Sequence, residues 1–376
     1  MRSARAFDGA RFLDSGATVL VEGRSIVGVE PFGYAVPAGC SVTTYDGTLL
    51  PGLVDAHVHL CTDSGDMALD RVAGYSGAEL DAVVTEALAR HLASGVTTVR
   101  DLGDRRYHVV SRRDAQHDRS EPRIVAAGPP VTVPDGHLHY CGGAVTGPEE
   151  IRAAVRERVD RRVDVVKVMA SGGMTTMGTD VAAPQFSLDD LRLLVDEAHA
   201  AGLPVAAHAH AAVAIDLAVE VGVDSIEHAS YVVRSASGGA GTAATDAQLE
   251  ALGASGIAVC PTFGGFTVES FARFPEPMLA RLREFGRTPE AIVEERMLLT
   301  RRMAEAGVRF VSGTDAGISP HKAHGRFAEA VIELGSVTGS AAALATATGV
   351  AADVCGLSGV TGRLAAGHDA DLLAVR

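Results

Sequence analysis

Tryptophan is absent from this chain of 376 residues, and lysine is nearly so, with two lysines among 33 basic residues. Cysteine is also scarce: the five cysteines are far apart and form no CxxC pair. This distribution disfavours a disulfide framework and a thiolate zinc site, and it favours reduced thiols in a cytosol. We therefore predict a cytoplasmic protein.

Long apolar runs are missing as well. No stretch of about 18 apolar residues occurs, so we expect no membrane span. The N-terminal segment MRSARAFDGARFLDSG lacks the apolar core of a signal peptide. The net charge of −14 disfavours nucleic acid and anionic membranes as partners, because both need a basic surface. A small-molecule substrate is the expected partner, and homo-oligomer formation stays open.

The middle of the chain alternates apolar runs, typical of buried parallel strands, with segments of helical periodicity. Several helical segments run into glycine and then a strand, as in HLASGVTTV, AHAAGLPV and MAEAGVRF. Such alternation predicts an α/β protein, a (β/α)8 TIM barrel, although seven or nine strands would also fit. The predicted strands cover residues 53–59, 96–103, 123–128, 163–170, 204–209, 223–229, 257–262 and 308–316.

The two ends of the chain differ from the middle. Residues 17–29 predict a hairpin around a Glu-Gly turn, and residues 362–376 predict a turn followed by a short strand. We predict a small β-domain built from residues 1–50 and 356–376, with residues 51–355 forming the barrel. Longer connections at 60–80, 128–147, 230–245 and 263–290 would lie over the barrel mouth, and we expect the Gly/Ser/Ala tract 235–244 to be mobile.

Titratable side chains lie near the carboxyl ends of the predicted strands, where barrel enzymes carry their functional groups. His57 and His59 alternate in PGLVDAHVHL and so share one side of a strand. The other such positions are Lys167, His208, His228 and Asp315. Each residue alone has a structural explanation, such as a hydrogen-bonded core histidine or an aspartate N-cap. Together they favour a metal centre, because imidazole and carboxylate are ligands of zinc and related ions.

Lys167 is the residue that is hardest to explain structurally. It lies within the apolar segment VDVVKVMA, where an ammonium group is costly unless it is paired or modified. The alternative is that its apolar stem extends and carries the ammonium to the barrel rim.

Several segments together resemble the metal-dependent amidohydrolase superfamily: PGLVDAHVHL, VVKVMASGG, AAHAHAAVAI with GVDSIEHAS, and SGTDAG. More narrowly, they are similar to the imidazolonepropionase-related branch, which includes prolidase-like dipeptidases and ochratoxinase-like amidases. The terminal segment GRLAAGHDADL matches the small β-sandwich of that superfamily. The resemblance covers nearly the whole chain and implies that the terminal β-domain is a sandwich.

The resemblance also implies a centre of two divalent metal ions, with zinc as the first expectation, although cobalt and manganese suit the same ligands. The implied ligands are His57 and His59 for one ion, His208 and His228 for the other, a CO2-derived carbamate on Lys167 as the bridge, and Asp315 on the first ion. A bridging hydroxide would attack the amide carbonyl, and Asp315 would act as general base and then general acid.

The sequence defines the residues that contact substrate less well than the metal ligands. His210 shares a side of its strand with His208. The family pattern assigns His208 as the metal ligand, so His210 would support the metal site or contact the substrate. In the loop DGHLHYCGG, His137 or His139 would polarise a carbonyl, unless the loop is simply solvated. Tyr231 would bind substrate or pack in the core.

The remaining histidines carry weaker expectations. We expect His91, His117 and His199, in helical segments, to face solvent. His321 and His324 would lie at the barrel rim, with His324 orienting Arg326.

We therefore predict a hydrolase of an amide (C–N) bond in a small substrate such as a dipeptide or an N-acyl amino acid. Hydrolysis of a cyclic imide, lactone, urea or carbamate in the same site is the alternative. A barrel that binds metal or ligand without turnover is a different class, which the presence of both Lys167 and Asp315 disfavours. The connection 263–290 carries no recognisable motif, and we expect it to decide substrate choice.

Overall fold

The fold is given by a computed structural model that describes residues 1–117, 120–234, 239–265, 267–274, 276–284 and 286–376. Residues 235–238, which belong to the tract expected to be mobile, lie outside the described residues, as do three positions of the connection 263–290.

In chain order, the strands are β1 (Arg2–Ser3), β2 (Arg5–Phe7), β3 (Phe12–Leu13), β4 (Ala17–Glu22), β5 (Ser25–Glu30), β6 (Thr48–Pro51), β7 (Leu53–Val58), β8 (Val96–Asp101), β9 (Arg123–Ala126), β10 (Val166–Met169), β11 (Val205–Ala211), β12 (Ser225–Arg234), β13 (Ala240–Thr242), β14 (Ala258–Cys260), β15 (Arg309–Phe310) and β16 (Leu372–Val375).

The α-helices are α1 (Ala68–Arg71), α2 (Gly77–Ala93), α3 (His108–Asp114), α4 (Gly147–Asp160), α5 (Leu188–Ala200), α6 (Ala212–Val221), α7 (Asp246–Ser255), α8 (Glu276–Glu284), α9 (Pro289–Glu305), α10 (Phe327–Thr338), α11 (Ser340–Thr346) and α12 (Gly349–Val354). Short 3-10 helices cover Val72–Gly74, His139–Cys141, Val268–Arg273 and Pro320–Lys322. Within the described ranges, no helix combines the length and the apolar composition needed to cross a bilayer.

All eight predicted strands of the middle region are present, and they lie in two parallel sheets. The first sheet has the order β7-β8-β9, and the second has the order β10-β11-β12-β14-β15, with β13 antiparallel to β12. The eighth strand is shorter than predicted. After Phe310 the backbone N–H groups of Val311 and Ser312 bond to two different elements, at Val259 and Thr346, so no regular ladder continues.

Backbone hydrogen bonds join the two parallel sheets at both ends of the strand order. On one side, the N–H of Asp315 donates to the carbonyl of His57 at 2.8 Å, and Val58 forms a parallel bridge with Ala316. On the other side, the N–H of Val131 donates to the carbonyl of Lys167 at 2.7 Å. The fold is therefore α/β with parallel sheets whose edges contact each other.

The helices follow the predicted periodicity and cap signals. In α5, Leu191, Leu194, Val195 and Ala198 are buried on one face. The helix begins after Ser187, whose hydroxyl accepts a hydrogen bond from the N–H of Asp190, a cap that contributes about 1 kcal/mol. Two of the predicted helix-ending glycines, Gly202 and Gly307, have left-handed φ values of 76° and 78°, which confirms the predicted C-caps.

The chain ends form two further small sheets. One has the order β1-β4-β5 and contains the predicted hairpin, with Gly23 in the turn at φ 59°. The other has the order β16-β6-β2-β3, so the last strand of the chain pairs with a strand from the first fifty residues. Residues of both sheets share one buried apolar cluster, namely Ala6, Ala17, Val19, Ile26, Leu49 and Leu364.

Candidate active site

One open cavity collects the residues that the sequence singled out as metal ligands. Its volume is about 1380 Å³ including the solvent at its mouth, which is room enough for a small-molecule substrate. Its lining includes all six of them: His57, His59, Lys167, His208, His228 and Asp315. These residues come from five different strands or strand ends, since His57 lies in β7 and His59 directly follows it, and the fold brings them together.

The first group of donors consists of His57, His59 and Asp315. The Oδ1 atom of Asp315 lies 3.4 Å from Nε2 of His57 and 3.3 Å from Nε2 of His59. Burial would raise the pKa of Asp315, but the charge of His57 and the hydrogen bond with His59 outweigh it and hold that pKa well below its usual range. The carboxylate is therefore ionised, and one nitrogen from each histidine and one carboxylate oxygen lie within 4.8 Å of one another.

Glu227 determines which nitrogen of His57 is available. The Nδ1 atom of His57 lies 2.8 Å from Oε2 of Glu227, while Nε2 is buried and makes no hydrogen bond within the described part of the chain. Burial, with the nearby Lys167, lowers the pKa of His57 to about 4, so the ring is neutral at neutral pH. A neutral ring that donates from Nδ1 leaves a lone pair on Nε2, which is the form that binds metal.

Glu227 is itself held by Arg100, and sequence reasoning missed both residues. A terminal nitrogen of the Arg100 guanidinium lies 3.2 Å from Oε1 of Glu227, and the hydroxyl of Ser225 donates to the same oxygen at 2.8 Å. Burial would raise the pKa of Glu227, but His57 and Arg100 lower it below its usual range. The signal was available, because both are charged residues inside apolar strands, as Lys167 is.

The second group of donors consists of His208, His210 and His228, with one ring nitrogen from each within 4.8 Å of the others. The rings of His210 and His228 stack with centroids 4.4 Å apart, and burial lowers the pKa of all three residues. Nδ1 of His228 lies 2.9 Å from the hydroxyl of Thr262, and Nε2 of His208 lies 3.3 Å from the carbonyl of Gly172. Each ring thus keeps a second nitrogen for a ligand.

Cys260 forms a further grouping with His57 and Glu227. Burial raises the pKa of its thiol well above the ordinary value, so the sulfur stays protonated and is not a thiolate ligand.

Lys167 is 1% exposed, and its Nζ atom has no hydrogen-bond partner among the residues that the structure describes. Burial lowers the pKa of this amine to about 8, although Glu227 and Asp315 oppose the shift. Its stem does not carry the ammonium to solvent, as the alternative required. A buried amine without a partner is costly, and it fits a site where another group bonds to that nitrogen.

Left-handed backbone at residues other than glycine occurs at several places around the cavity. His228, Thr262 and Asp315 have φ values of 70°, 50° and 60°. Such conformations cost about 1–3 kcal/mol each and are concentrated at functional sites. The folded chain therefore maintains these residues in positions that local preference disfavours.

The substrate-contact candidates are placed differently from one another. His137 lines the cavity, its ring lies 4.5 Å from that of His208, and its Nδ1 lies 2.8 Å from the hydroxyl of Thr176. His139 is not part of the lining, and its Nδ1 lies 2.9 Å from the carbonyl of Gly136. Tyr231 is completely buried in the apolar core and does not line the cavity.

The prediction that His91 faces solvent is wrong. His91 is completely buried, because it continues the apolar stripe of α2 that includes Leu80, Val84 and Leu88. Its Nε2 lies 3.1 Å from Nδ1 of His324, whose own Nε2 lies 2.8 Å from the carbonyl of Thr62.

The other histidines follow the expectations in part. His199 and His117 are exposed, although His117 lies beyond the end of α3. His321 is buried against Phe274, with ring centroids 3.8 Å apart, and lines the cavity. His324 does not orient Arg326, which pairs instead with Glu329.

The connection 263–290 contributes apolar side chains to the cavity wall. In its described part these are Phe271, Phe274, Met278 and Leu282. Three cationic side chains, Arg287, Arg296 and Lys322, also line the cavity. The cavity is therefore apolar on one wall and carries positive charge, although the chain has a net charge of −14.

The donors fit divalent cations. Both groups present imidazole nitrogens, one of them adds an ionised carboxylate, and a buried amine with no hydrogen-bond partner among the described residues lines the same cavity. Nitrogen and oxygen ligands of this kind suit zinc and related ions.

Comparisons with known proteins identify the family of this chain. The amidohydrolase family profile matches residues 48–376. Ochratoxinase of Aspergillus niger is 28% identical over 361 residues, covering 87% of this chain and 70% of that protein. Imidazolonepropionase of Salinispora arenicola is 28% identical over 306 residues, covering 76% of this chain and 72% of that protein. A solved prolidase in complex with N-methylphosphonate-L-proline superposes with a TM-score of 0.78 at 25% identity, covering 99% of this chain and 92% of that one. The chain belongs to the amidohydrolase family and is a hydrolase that acts on carbon–nitrogen bonds.

Proposed function

We propose that the protein hydrolyses the amide bond of a small, carboxylate-bearing substrate such as a dipeptide or an N-acyl amino acid. The observation that carries this proposal is the convergence of two histidine-based donor groups, Lys167 and Asp315 on one cavity. The names of the similar proteins, an ochratoxinase, an imidazolonepropionase and a prolidase, support C–N bond hydrolysis of small molecules.

The proposal includes the architecture that surrounds the site. The eight parallel strands close into a (β/α)8 barrel of residues 51–355, which the hydrogen bonds between the two sheet edges support. The terminal sheets form a β-sandwich of residues 1–50 and 356–376, which their shared apolar cluster supports.

Two divalent metal ions would occupy the donor groups, and zinc is the metal we expect first. His57, His59 and Asp315 would hold one ion, and His208 and His228 would hold the other. The neutral amine of Lys167 would react with CO2, releasing a proton and forming a carbamate that would help to hold the ions. When bound, the ions supply Lewis-acid polarisation of the carbonyl and lower the pKa of water.

The remaining steps belong to residues of the chain. Asp315 is ionised at neutral pH, so its carboxylate is suited to accept a proton from the attacking water and to pass it to the leaving nitrogen. Nδ1 of His137 is engaged with Thr176, and its Nε2–H would donate to the substrate carbonyl oxygen. His210, whose ring packs against the rings of His208 and His228, would contact the substrate or serve as an additional nitrogen donor.

A substrate panel on the metal-loaded protein tests this proposal. It contains dipeptides and N-acyl amino acids, together with a cyclic imide, a lactone, a urea and a carbamate. We expect hydrolysis of the first two groups, loss of activity on chelation and recovery on addition of zinc. Full activity in metal-free protein would refute the mechanism, and two bound metals without turnover of any compound would indicate a binding protein.

A further inference from the structure

Arg296 brings a positive charge to the wall of the cavity. It projects from α9 and lines the cavity together with the candidate ligands. Its guanidinium carbon lies 5.0 Å from the centroid of the Phe263 ring, and a terminal nitrogen donates to the hydroxyl of Thr262 at 3.3 Å. Stacking on an aromatic ring limits the freedom of the guanidinium, so less entropy is lost when it binds a ligand.

Thr262 connects Arg296 to the proposed metal centre. The hydroxyl that receives the Arg296 hydrogen bond also lies 2.9 Å from Nδ1 of His228. The guanidinium is therefore separated from a candidate metal ligand by a single hydroxyl group. A substrate group bound to it would lie close to the reacting carbonyl and not at the far end of the cavity.

The charges around Thr262 favour an anion. The ammonium of Lys322 donates to the carbonyl of Thr262 at 2.5 Å, and burial leaves the pKa of Arg296 at about 10, so both are protonated at neutral pH. Glu333 accepts hydrogen bonds from the N–H groups of two glycines, and its charge offsets part of the charge of Arg296 and Lys322.

Two other charged side chains of the lining, Asp315 and Arg287, face partners of their own. Asp315 is the sole acidic side chain among the lining residues that the structure describes, and it faces His57 and His59. Arg287 pairs with Glu295 at 2.5 Å.

We propose that Arg296 binds the carboxylate of the substrate, on the carbon attached to the leaving nitrogen, and thereby selects N-acyl amino acids and dipeptides over neutral amides. This inference rests on the proposed amide hydrolysis. The planar guanidinium matches a carboxylate with two parallel hydrogen bonds. Its closeness to His228 favours a carboxylate next to the scissile amide over a remote one.

Binding is measured first, because it does not require turnover. The full-length, metal-loaded Asp315→Asn protein is titrated calorimetrically with N-acetyl-L-phenylalanine and with its neutral carboxamide. We expect the carboxylate to bind about 10–100-fold more tightly, the range for a charge-assisted hydrogen-bonded pair. Introducing Arg296→Met into the Asp315→Asn protein should remove this preference, because methionine retains apolar contact with Phe263 and lacks the charge. Adding Arg301→Met, at an exposed position on the same helix, should leave the preference intact.

The second measurement is the steady-state kinetics of proteins that carry the wild-type Asp315. We expect Arg296→Met to lower kcat/KM for the carboxylate by about 10–100-fold and to change kcat/KM for the carboxamide by less than about threefold. If the methionine variant does not fold, Arg296→Gln, which can still donate to Thr262, replaces it.

The outcomes separate this inference from the proposed function. If the carboxylate and the carboxamide bind equally well, or if the preference survives in both Arg296 variants, the inference is overturned while amide hydrolysis stands. If the wild-type protein hydrolyses no amide but its carboxylate preference depends on Arg296, the carboxylate site stands and the proposed function fails.

Discussion

The Nδ1 atom of His57 and the Oε2 atom of Glu227 lie 2.8 Å apart, and both side chains are at most 1% exposed. Arg100 compensates the buried carboxylate from its other side. The arrangement leaves the Nε2 lone pair of His57 directed into the cavity, where His59 and Asp315 direct their own donors. When the second ring nitrogen of a metal-binding histidine donates to a carboxylate, the hydrogen bond fixes the tautomer of the histidine and raises its basicity as a ligand.

Replacing Glu227 should therefore weaken metal binding. We expect Glu227→Gln to lower the affinity for the ion held by His57 and His59 by about 10–100-fold, measured by competition with a chelator. It should also destabilise the fold by about 3–5 kcal/mol, because Arg100 loses its buried partner. Glu220→Gln, at an exposed position, serves as the control. Unchanged affinity in folded Glu227→Gln protein would contradict this role.

Replacing Lys167 should affect metal content more than stability. We expect Lys167→Met to reduce the bound metal from two ions to one or none, measured by elemental analysis, and to abolish activity. The metal-free variant should be at least as stable as metal-free wild type, because a buried unpartnered amine is replaced by an apolar group. With labelled bicarbonate, nuclear magnetic resonance should detect a carbamate in metal-loaded wild type and none in the variant; a plain amine in both would refute the carbamate.

The carboxylate of Asp315 is predicted to move the proton during hydrolysis. We expect Asp315→Asn to lower kcat by about 10²–10⁴-fold, the range for the loss of a general acid–base group. The metal content is measured alongside, since loss of both ions would explain inactivity without proton transfer. Asp189→Asn on the exposed surface of α5 should keep wild-type kcat. Wild-type kcat in metal-loaded Asp315→Asn protein would exclude the proposed role.

The buried contact between His91 and His324 should make the fold sensitive to acid. Burial lowers the pKa of His324 to about 4, although the hydrogen bond to Thr62 opposes the shift, and nearby Arg90 and His59 lower the pKa further while Asp63 raises it. Nδ1 of His324 accepts from His91, so a proton on Nδ1 would break this contact. The unfolded chain, with a pKa of about 6.5, binds the proton first, so stability decreases as the pH falls from about 6.5 to about 4.

Chemical denaturation at two pH values measures this effect. Between pH 7.5 and pH 5, His324 should account for a loss of about 2 kcal/mol in the free energy of unfolding. We therefore expect His324→Gln to lose about that much less than wild type over the same interval. An identical dependence in His324→Gln and wild type would assign the acid sensitivity to other groups.

Local features of the fold were predictable because they depend on neighbouring residues. The cap at Ser187, the apolar face of α5 and the glycine ends of helices are interactions within one or two turns of chain. The hairpin at residues 17–29 depends on a two-residue turn. His91 was mispredicted even so, because its polar character was weighed above its position on the apolar stripe of α2.

By itself, the sequence determined the α/β pattern, the strand positions and the six titratable residues at strand ends, because hydrophobic periodicity and residue chemistry are local properties. Only the tertiary structure decided which ring nitrogen faces the cavity, that His137 lines it while His139 and Tyr231 do not, and that Glu227 supports His57 from 170 residues away. These outcomes depend on side chains that meet across different strands. No short-range pattern encodes such contacts, because they form only when the whole chain has packed.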